Sequence, residues 1–268
     1  MRVAHLSDVH VLERRQGGGS PVGDGYTLRT RLVSYARSFA PEARVEKLRR
    51  SLAAARESGA SHVVISGDLT EIGNDAQFDV FAQALHDSKI TPSSVTLVPG
   101  NHDAYTSETS WARAMSGPLA AFAESSAGKA GKVVDRGDVV FLPIDASCFQ
   151  SITRAGGEIT RATSDAIEAR LVDPALERKT VVLVLHHPPF APRGRVSGWV
   201  DGLRGSTRLL EIVQRHANVQ VLHGHLHKAV DCFAGGCRIF GAPAVVDDRE
   251  SARVRVYELK SGVFEAAA

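Results

Sequence analysis

Cysteine is scarce: Cys148, Cys232 and Cys237 are the only three in 268 residues. Three thiols cannot close a disulfide framework, and their spacing is not that of a zinc ribbon. A reducing compartment suits them, which disfavours a Cys232–Cys237 bridge across a hairpin. A dominant charge sign is also missing. The net charge of +2 gives no strong basic field of the kind that marks a dedicated nucleic-acid binder, although it is compatible with a local basic patch. No stripe of interleaved basic and aromatic residues offers a track for a strand, so nucleic acid is not the expected partner. Long apolar runs are absent too. No window approaches the ~20 apolar residues of a membrane span, and the opening "MRVAHLSDVH" turns polar too soon for a secretory leader. The expected location is cytoplasmic, with no integral membrane segment; peripheral membrane contact and homo-oligomers stay open. There is no internal repeat. One low-complexity piece, "RRQGGGSPVGDG" at 14–25, reads as a flexible loop.

What is present is ordinary in bulk and specific in pattern. Hydrophobic residues at 43% and charged residues at 23% suit a globular chain, and 268 residues can bury one large core. A single domain over 1–268 is expected. Short runs rich in valine, isoleucine and leucine recur as "RVAHL" (2–6), "HVVIS" (62–66), "SVTLV" (94–98), "VVFLPI" (139–144), "TVVLVL" (180–185) and "VQVL" (219–222). They read as buried strands. Helical spacing lies between them. Over 41–58 the apolar positions are Val45, Leu48, Leu52 and Ala55, with Gly59 as the stop. Asn74 caps a second helix over 75–88 that buries Phe78, Phe81 and Leu85. Later helices fall at 164–171, capped by Thr163 or Ser164, and at 204–216. The tail alternates in "CRIF" (237–240) and "RVRVYEL" (253–259), as antiparallel strands do. The pattern predicts an α/β fold with two packed mixed sheets flanked by helices, a four-layer α/β/β/α sandwich.

The informative residues stand where the strands stop. "HLSD" ends in Asp8 with His10 two further on, and "VVISGD" ends in Asp68. "VTLVPGNHD" ends in Asn101, His102 and Asp103; "VVLVLHHPP" in His186 and His187; "VQVLHGHLH" in His223, His225 and His227. In an open α/β sheet the carboxyl ends share one edge, where ligands bind. Carboxylate, amide and imidazole without thiolate make a nitrogen- and oxygen-rich shell suited to Mn, Fe or Zn. Asp68 can bridge two ions through its two oxygens. Gly67, Gly100 and Gly224 allow the tight turns that aim such groups inward.

Asp8-Val9-His10, Gly67-Asp68, Gly100-Asn101-His102-Asp103, His186 and Gly224-His225-Leu226-His227 together resemble the ordered motifs of calcineurin-like metallophosphoesterases, over residues 3 to about 245. Singly the motifs are weak; all in order, each ending a strand, they are specific. The resemblance implies a first metal held by Asp8, His10, Asp68 and His227, and a second held by Asp68, Asn101, His186 and His225. It implies two divalent or trivalent ions and a metal-dependent phosphoric ester hydrolase. "SGDLTEIG", "GNHDAY", "LHHPPF" and "GAPAVV" are further similar to a bacterial phosphodiesterase branch that includes cyclic-nucleotide and glycerophosphodiester hydrolases. Where that branch often has asparagine in "GLRN", this chain has Gly205.

The expected reaction is hydrolysis of a small organic phosphodiester by attack of a metal-bound hydroxide. His102 would act on the leaving oxygen or hold a phosphate oxygen, with Asp103 fixing its tautomer. Strand alternation points one of His186 and His187 at the metals, and the family pattern selects His186. His223 and His5 read as supporting or packed groups; His62, His86 and His216 read as surface histidines. The segment 26–39 places Leu28, Leu32, Tyr35 and Phe39 on one helical stripe. It is expected to belong to a cap-like insertion at about 13–41 at the rim of the site. There Arg14, Arg15, Arg29 and Arg31 would offset phosphate charge. A basic amphipathic helix also fits a second reading, a nucleotide-lipid or phospholipid (pyro)phosphohydrolase at a membrane surface. A metal-binding scaffold without turnover is the alternative from another class, and the full set of candidate ligands argues against it.

Overall fold

Each apolar run read as a strand forms one. The structure is a computed structural model that describes residues 1–14, 28–34, 37–129, 131–190 and 199–267. In chain order its elements begin with β1 (Arg2–Leu6), α1 (Leu28–Val33), α2 (Pro41–Glu57), β2 (His62–Ser66) and α3 (Asp75–Asp87). Then come β3 (Val95–Val98), α4 (Ser110–Ser116), β4 (Val134–Asp135), β5 (Val139–Pro143) and β6 (Gly157–Glu158). Next are α5 (Arg161–Leu171), β7 (Thr180–Val184), β8 (Leu203–Arg204), α6 (Ser206–Val213) and β9 (Val219–His223). The chain closes with β10 (Val230–Ala234), β11 (Cys237–Gly241), β12 (Arg255–Lys260) and β13 (Val263–Ala266). Short 3-10 turns connect several of these, one of them over His102–Ala104.

Two mixed sheets form the centre. One has the order β13-β12-β1-β2-β3, the other β10-β11-β9-β7-β5-β4, and β6 pairs with β8 as a small ribbon. Strands β1, β2 and β3 are parallel, as are β5, β7, β9 and β11; the outer pairings with β12, β10 and β4 are antiparallel. Alternation along the second sheet divides its side chains between two layers. Phe141, Val182, Val184, Leu222 and Phe240 face the first sheet. Val140, Leu142, Val181, Leu183, Val221 and Ile239 pack instead with Ile167 and Leu171 of α5 and with Leu209, Ile212 and Val213 of α6. On the other side α2 buries Leu48, Leu52 and Ala55, and α3 buries Phe78, Phe81 and Leu85. Two sheets face to face with helices outside give the four-layer sandwich.

Local chemistry explains where several elements begin and end. Asn74 caps α3 by accepting from Gln77 N at 2.8 Å, as the sequence indicates. The cap of α5 lies a turn earlier than Thr163 or Ser164: Thr160 Oγ1 accepts from Thr163 N at 3.1 Å. His62 corrects its surface reading. It lies on β2 between the sheets, stacked on Phe141 with ring centroids 4.4 Å apart, and its Nε2 meets Thr96 Oγ1 at 2.9 Å. An isolated histidine inside a strand gives no local clue to which face is covered. The cysteines are free; Cys232 is opposite Ile239 and Cys237 opposite Ala234, so the hairpin register does not pair them.

Of the 26–39 stripe, Leu28 and Leu32 on α1 are exposed rather than packed, and Tyr35 lies outside the described residues. Most of the insertion read at about 13–41 lies there too, Arg15 among it.

Candidate metal centre

The strands of both sheets deliver their terminal polar residues to one edge. After β1 and β2 the two chains run side by side: Asp8 N donates to Gly67 O, Val9 N and His10 N donate to Asp68 O, and Val11 N donates to Leu69 O, all at 2.8–3.1 Å. His186 N–H chemistry ties the second sheet to the first, because its Nδ1 meets Ser66 O at 2.7 Å. Among the described residues seven non-glycine positions have positive φ, and five of them are Asp8, His10, Asp68, His225 and His227. Each such conformation costs on the order of 1–2 kcal/mol and persists only where its surroundings over-determine it. Gly67 has φ +98°, and a Cβ there would come within 2.5 Å of His186 Nδ1. Strand ends are thus bent deliberately to turn these side chains inward.

The inward groups are close together. Asp68 Oδ2 lies 3.2 Å from His186 Nε2, 3.7 Å from His10 Nε2 and 3.9 Å from His102 Nε2. Asp8 Oδ1 lies 3.4 Å from His227 Nε2 and 4.0 Å from His186 Nε2. Asp8, His10 and His227 can share one ion, and so can Asp8, Asp68 and His186. His225 joins His186 and His187 in a further cluster. Asn101 ends the loop after β3, with Oδ1 buried and unpartnered.

The donor set fits a metal pair. Asp8 Oδ1, both His10 nitrogens, Asn101 Oδ1 and His186 Nε2 are buried without a hydrogen-bond partner. Orphaned buried polar atoms are costly, and the close grouping of Asp8, His10, Asp68, His186 and His227 would offer several of them a cation. Meanwhile the opposite nitrogens are engaged in a way that fixes each ring. His186 gives its Nδ1 hydrogen to Ser66 O, His102 its Nδ1 hydrogen to Glu71 O at 2.7 Å, and His225 its Nε2 hydrogen to Asp201 O at 2.9 Å. His227 Nδ1 meets Asp247 Oδ2 at 2.9 Å. Carbonyl or carboxylate partners of this kind orient ligating imidazoles.

Protons partly compensate these carboxylates. Burial disfavours charge on His186, but Asp68 and Asp8 outweigh it and push its pKa up to about 9. Burial acts likewise on His227, where Asp247 and Asp8 prevail and raise it to about 10. Burial would raise Asp68, yet the surrounding histidines hold it well below the usual carboxylate range. His10 is lowered by burial and by Arg37, and His225 falls to about 4 through burial and His186.

Two expectations are corrected. Asp103 does not touch the His102 ring. Its carboxylate accepts from Leu69 N, Thr70 N, Thr70 Oγ1 and Gly100 N at 2.7–3.1 Å, stapling the loops after β2 and β3, while the Glu71 carbonyl sets the His102 tautomer. Both histidines of the pair approach the centre: β7 ends at Val184, so alternation no longer governs them, and His187 turns its ring to within 4.4 Å of that of His225. Arg15 lies outside the described residues, and the other three arginines expected to offset phosphate charge have partners within the chain. Arg14 pairs with Glu42 at 2.9 Å on the surface, Arg29 donates to Tyr105 O, and Arg31 lies over the Phe39 ring. His223 and His5 are buried supports, the first bonded to Gly224 O at 2.8 Å and the second to Ser66 Oγ at 2.8 Å. Gly205 has φ +83°, and a Cβ there would collide with the Ile159 carbonyl, so the local backbone takes glycine.

Glu71 and Tyr105 lie inside "SGDLTEIG" and "GNHDAY" and Asp247 just after "GAPAVV", but the sequence reading gave none of the three a role. Glu71 is fully buried, paired with Arg44 and with Arg37 at 2.9 Å, and its Oε2 lies 3.6 Å from His10 Nδ1. Only its position three residues after Asp68 could have pointed to it.

The fold and the histidine–carboxylate cage define a class of metal-dependent phosphoester hydrolases. A family model described as calcineurin-like phosphoesterase matches residues 1–229, and the chain belongs to that family. No curated protein matches the sequence. Solved structures of similar fold include a dimetal phosphatase from Danio rerio, at 15% identity and TM-score 0.71, covering 97% of this chain and 93% of that one. The Thermus thermophilus protein TT1561 is 12% identical with TM-score 0.58, over 99% and 97% of the two chains. A phosphopantetheinyl hydrolase from Mycobacterium tuberculosis is 15% identical with TM-score 0.52, over 91% and 89%. No helix among the described residues is long and apolar enough to cross a membrane.

Proposed function

We propose that the protein is a dinuclear metal-dependent phosphodiesterase acting on a small organic phosphodiester. The observation that carries this reading is the grouping of unpartnered, buried Asp8 Oδ1, His10 Nε2 and His186 Nε2 around the Asp68 carboxylate. Asp8, His10, Asp68 and His227 would hold one ion; Asp68, Asn101, His186 and His225 would hold the other. When bound, two such ions polarise a phosphoryl oxygen and acidify water.

The chain's own groups do the rest. Ser66, Glu71, Asp201 and Asp247 hold the imidazoles in register, so little reorganisation accompanies the reaction. His102 stands at the edge of the cage with its Nδ1 hydrogen committed to the Glu71 carbonyl. It can therefore donate from Nε2 only as an imidazolium, to the leaving oxygen or to a phosphate oxygen. His102→Ala should slow esters with poor alkoxide leaving groups by about 10²–10⁴ and p-nitrophenyl esters far less if it serves the leaving oxygen.

Hydrolysis of bis(p-nitrophenyl) phosphate tests the reading. Chelation should abolish it and Mn or Fe should restore it. Comparing cyclic AMP, glycerophosphocholine and a UDP-linked lipid then separates small diesters from lipid substrates. Absence of turnover on the whole panel with both ions supplied would remove the proposal.

A further inference from the structure

Beside the His227 end of the cage the surface opens into a cleft of about 290 Å³, lined in part by Arg37, Lys47, Asp247, Asp248 and Arg249. Cleft and cage share walls. Asp247 reaches from one to hold His227 in the other at 2.9 Å. Arg37 does the same through Glu71 at 2.9 Å, and Glu71 lies 3.6 Å from His10. Asp247 and His227 are both partly exposed to solvent.

Its charges do not balance. Arg37, Arg44, Lys47, Arg50 and Arg249 stand around Glu71, Asp247 and Asp248, five cations against three carboxylates. The carboxylates are already occupied: Glu71 by Arg44 and Arg37, Asp248 by Arg50 at 3.0 Å, and Asp247 by His227. Lys47 donates to the Val246 carbonyl, which orients the ammonium without neutralising it. Arg249 is exposed and makes no ion pair among the described residues. A cleft with an excess of one sign of charge concentrates ligands of the other.

We propose that this cleft receives a second anionic group of the substrate, a phosphate or a carboxylate, carried on the arm of the phosphoester bound at the cage. Resting on the phosphodiesterase reading, this narrows the substrate to diesters with an acidic arm. Lys47 and Arg249 set the preference, and Arg37 contributes from the wall it shares with Glu71.

The test uses p-nitrophenyl phosphodiesters whose second arm is ethyl, choline, 2-carboxyethyl or 2-phosphonoethyl, assayed on the metal-loaded protein. The acidic arms should exceed ethyl in kcat/KM by on the order of tenfold at low salt, choline should fall below it, and added salt should shrink the spread. A higher value for phosphonate than for carboxylate identifies phosphate as the group received, and the reverse order identifies carboxylate. Lys47→Met and Arg249→Gln should each lower the acidic-to-ethyl ratio, and Arg249→Glu should turn the preference towards choline, a reversal that misfolding cannot produce. Equal kcat/KM across the arms, or ratios unmoved in all three variants, would overturn the inference and leave the phosphodiesterase reading intact. No turnover of any arm would overturn both.

Discussion

The Tyr105 hydroxyl decides which way Asn101 faces. Asn101 Nδ2 and Tyr105 Oη are 2.9 Å apart, and Oη is 2.9 Å from the Arg154 carbonyl. A carbonyl only accepts, so the phenolic hydrogen goes to Arg154 and the oxygen must accept from the amide. That leaves Asn101 Oδ1, buried and unpartnered, as the amide atom free to meet a cation. Burial also raises the Tyr105 pKa, with Asp68 adding, so the donor hydrogen is retained.

Tyr105→Phe keeps the ring but frees the amide to flip. We expect the affinity for the second ion to fall roughly 10- to 100-fold, the range for lost outer partners of metal ligands, while the first ion is held normally. Stepwise metal titration followed by calorimetry reads both. Unchanged uptake of two ions would remove the positioning role.

Asp68 faces His10, His102 and His186 at once. Asp68→Asn, which keeps shape and removes charge, should therefore weaken both ions, whereas His225→Ala should weaken one. Elemental analysis after dialysis distinguishes them; a variant retaining two ions per chain would contradict the bridging assignment.

Metal uptake should release protons. In the metal-free protein His186 and His227 titrate at about 9 and 10, so near pH 7.5 both carry protons that ligation must expel. About two protons per chain should appear when both ions are added to lightly buffered protein, counted with a pH-stat. The same raised values stabilise the metal-free fold below the unfolded value of 6.5, and that contribution is lost as pH rises through about 9 to 10.

Glu71→Gln removes the charge that neutralises Arg44 deep under the site. The Arg44 side chain is 2% exposed and that of Glu71 is 0%. Breaking a buried pair from one side costs about 3–5 kcal/mol, so the urea midpoint should drop markedly. A shift no larger than that of a surface variant such as Glu42→Gln would show that water already screens the pair.

His62 behaves in the opposite sense to His186. Burial, with Arg136 adding, lowers its pKa from 6.5 to about 3. The unfolded chain then binds the proton first, so stability is full above pH 6.5 and declines as pH falls towards about 3. His62→Gln retains a partner for Thr96 and abolishes the titration. In chelated protein, its melting temperature should fall less than the parent's between about pH 7.5 and 5. Parallel curves would assign acid lability to other groups.

The sequence by itself determined the layers and which strand ends share an edge. Runs such as "HVVIS" and "TVVLVL" have one reading as buried strands, and a parallel sheet puts their carboxyl ends on one edge. Asp8 and His227 were therefore placeable together although far apart along the chain. Side-chain direction was a matter for the tertiary structure. After a strand ends, alternation stops constraining the chain, so whether His187 or Asp103 faces the cage depends on loop hydrogen bonds made across 31–33 residues. The supports follow the same logic. Glu71, Tyr105 and the carbonyls of Ser66 and Asp201 act through position alone, and a position in space exists only once both sheets have packed.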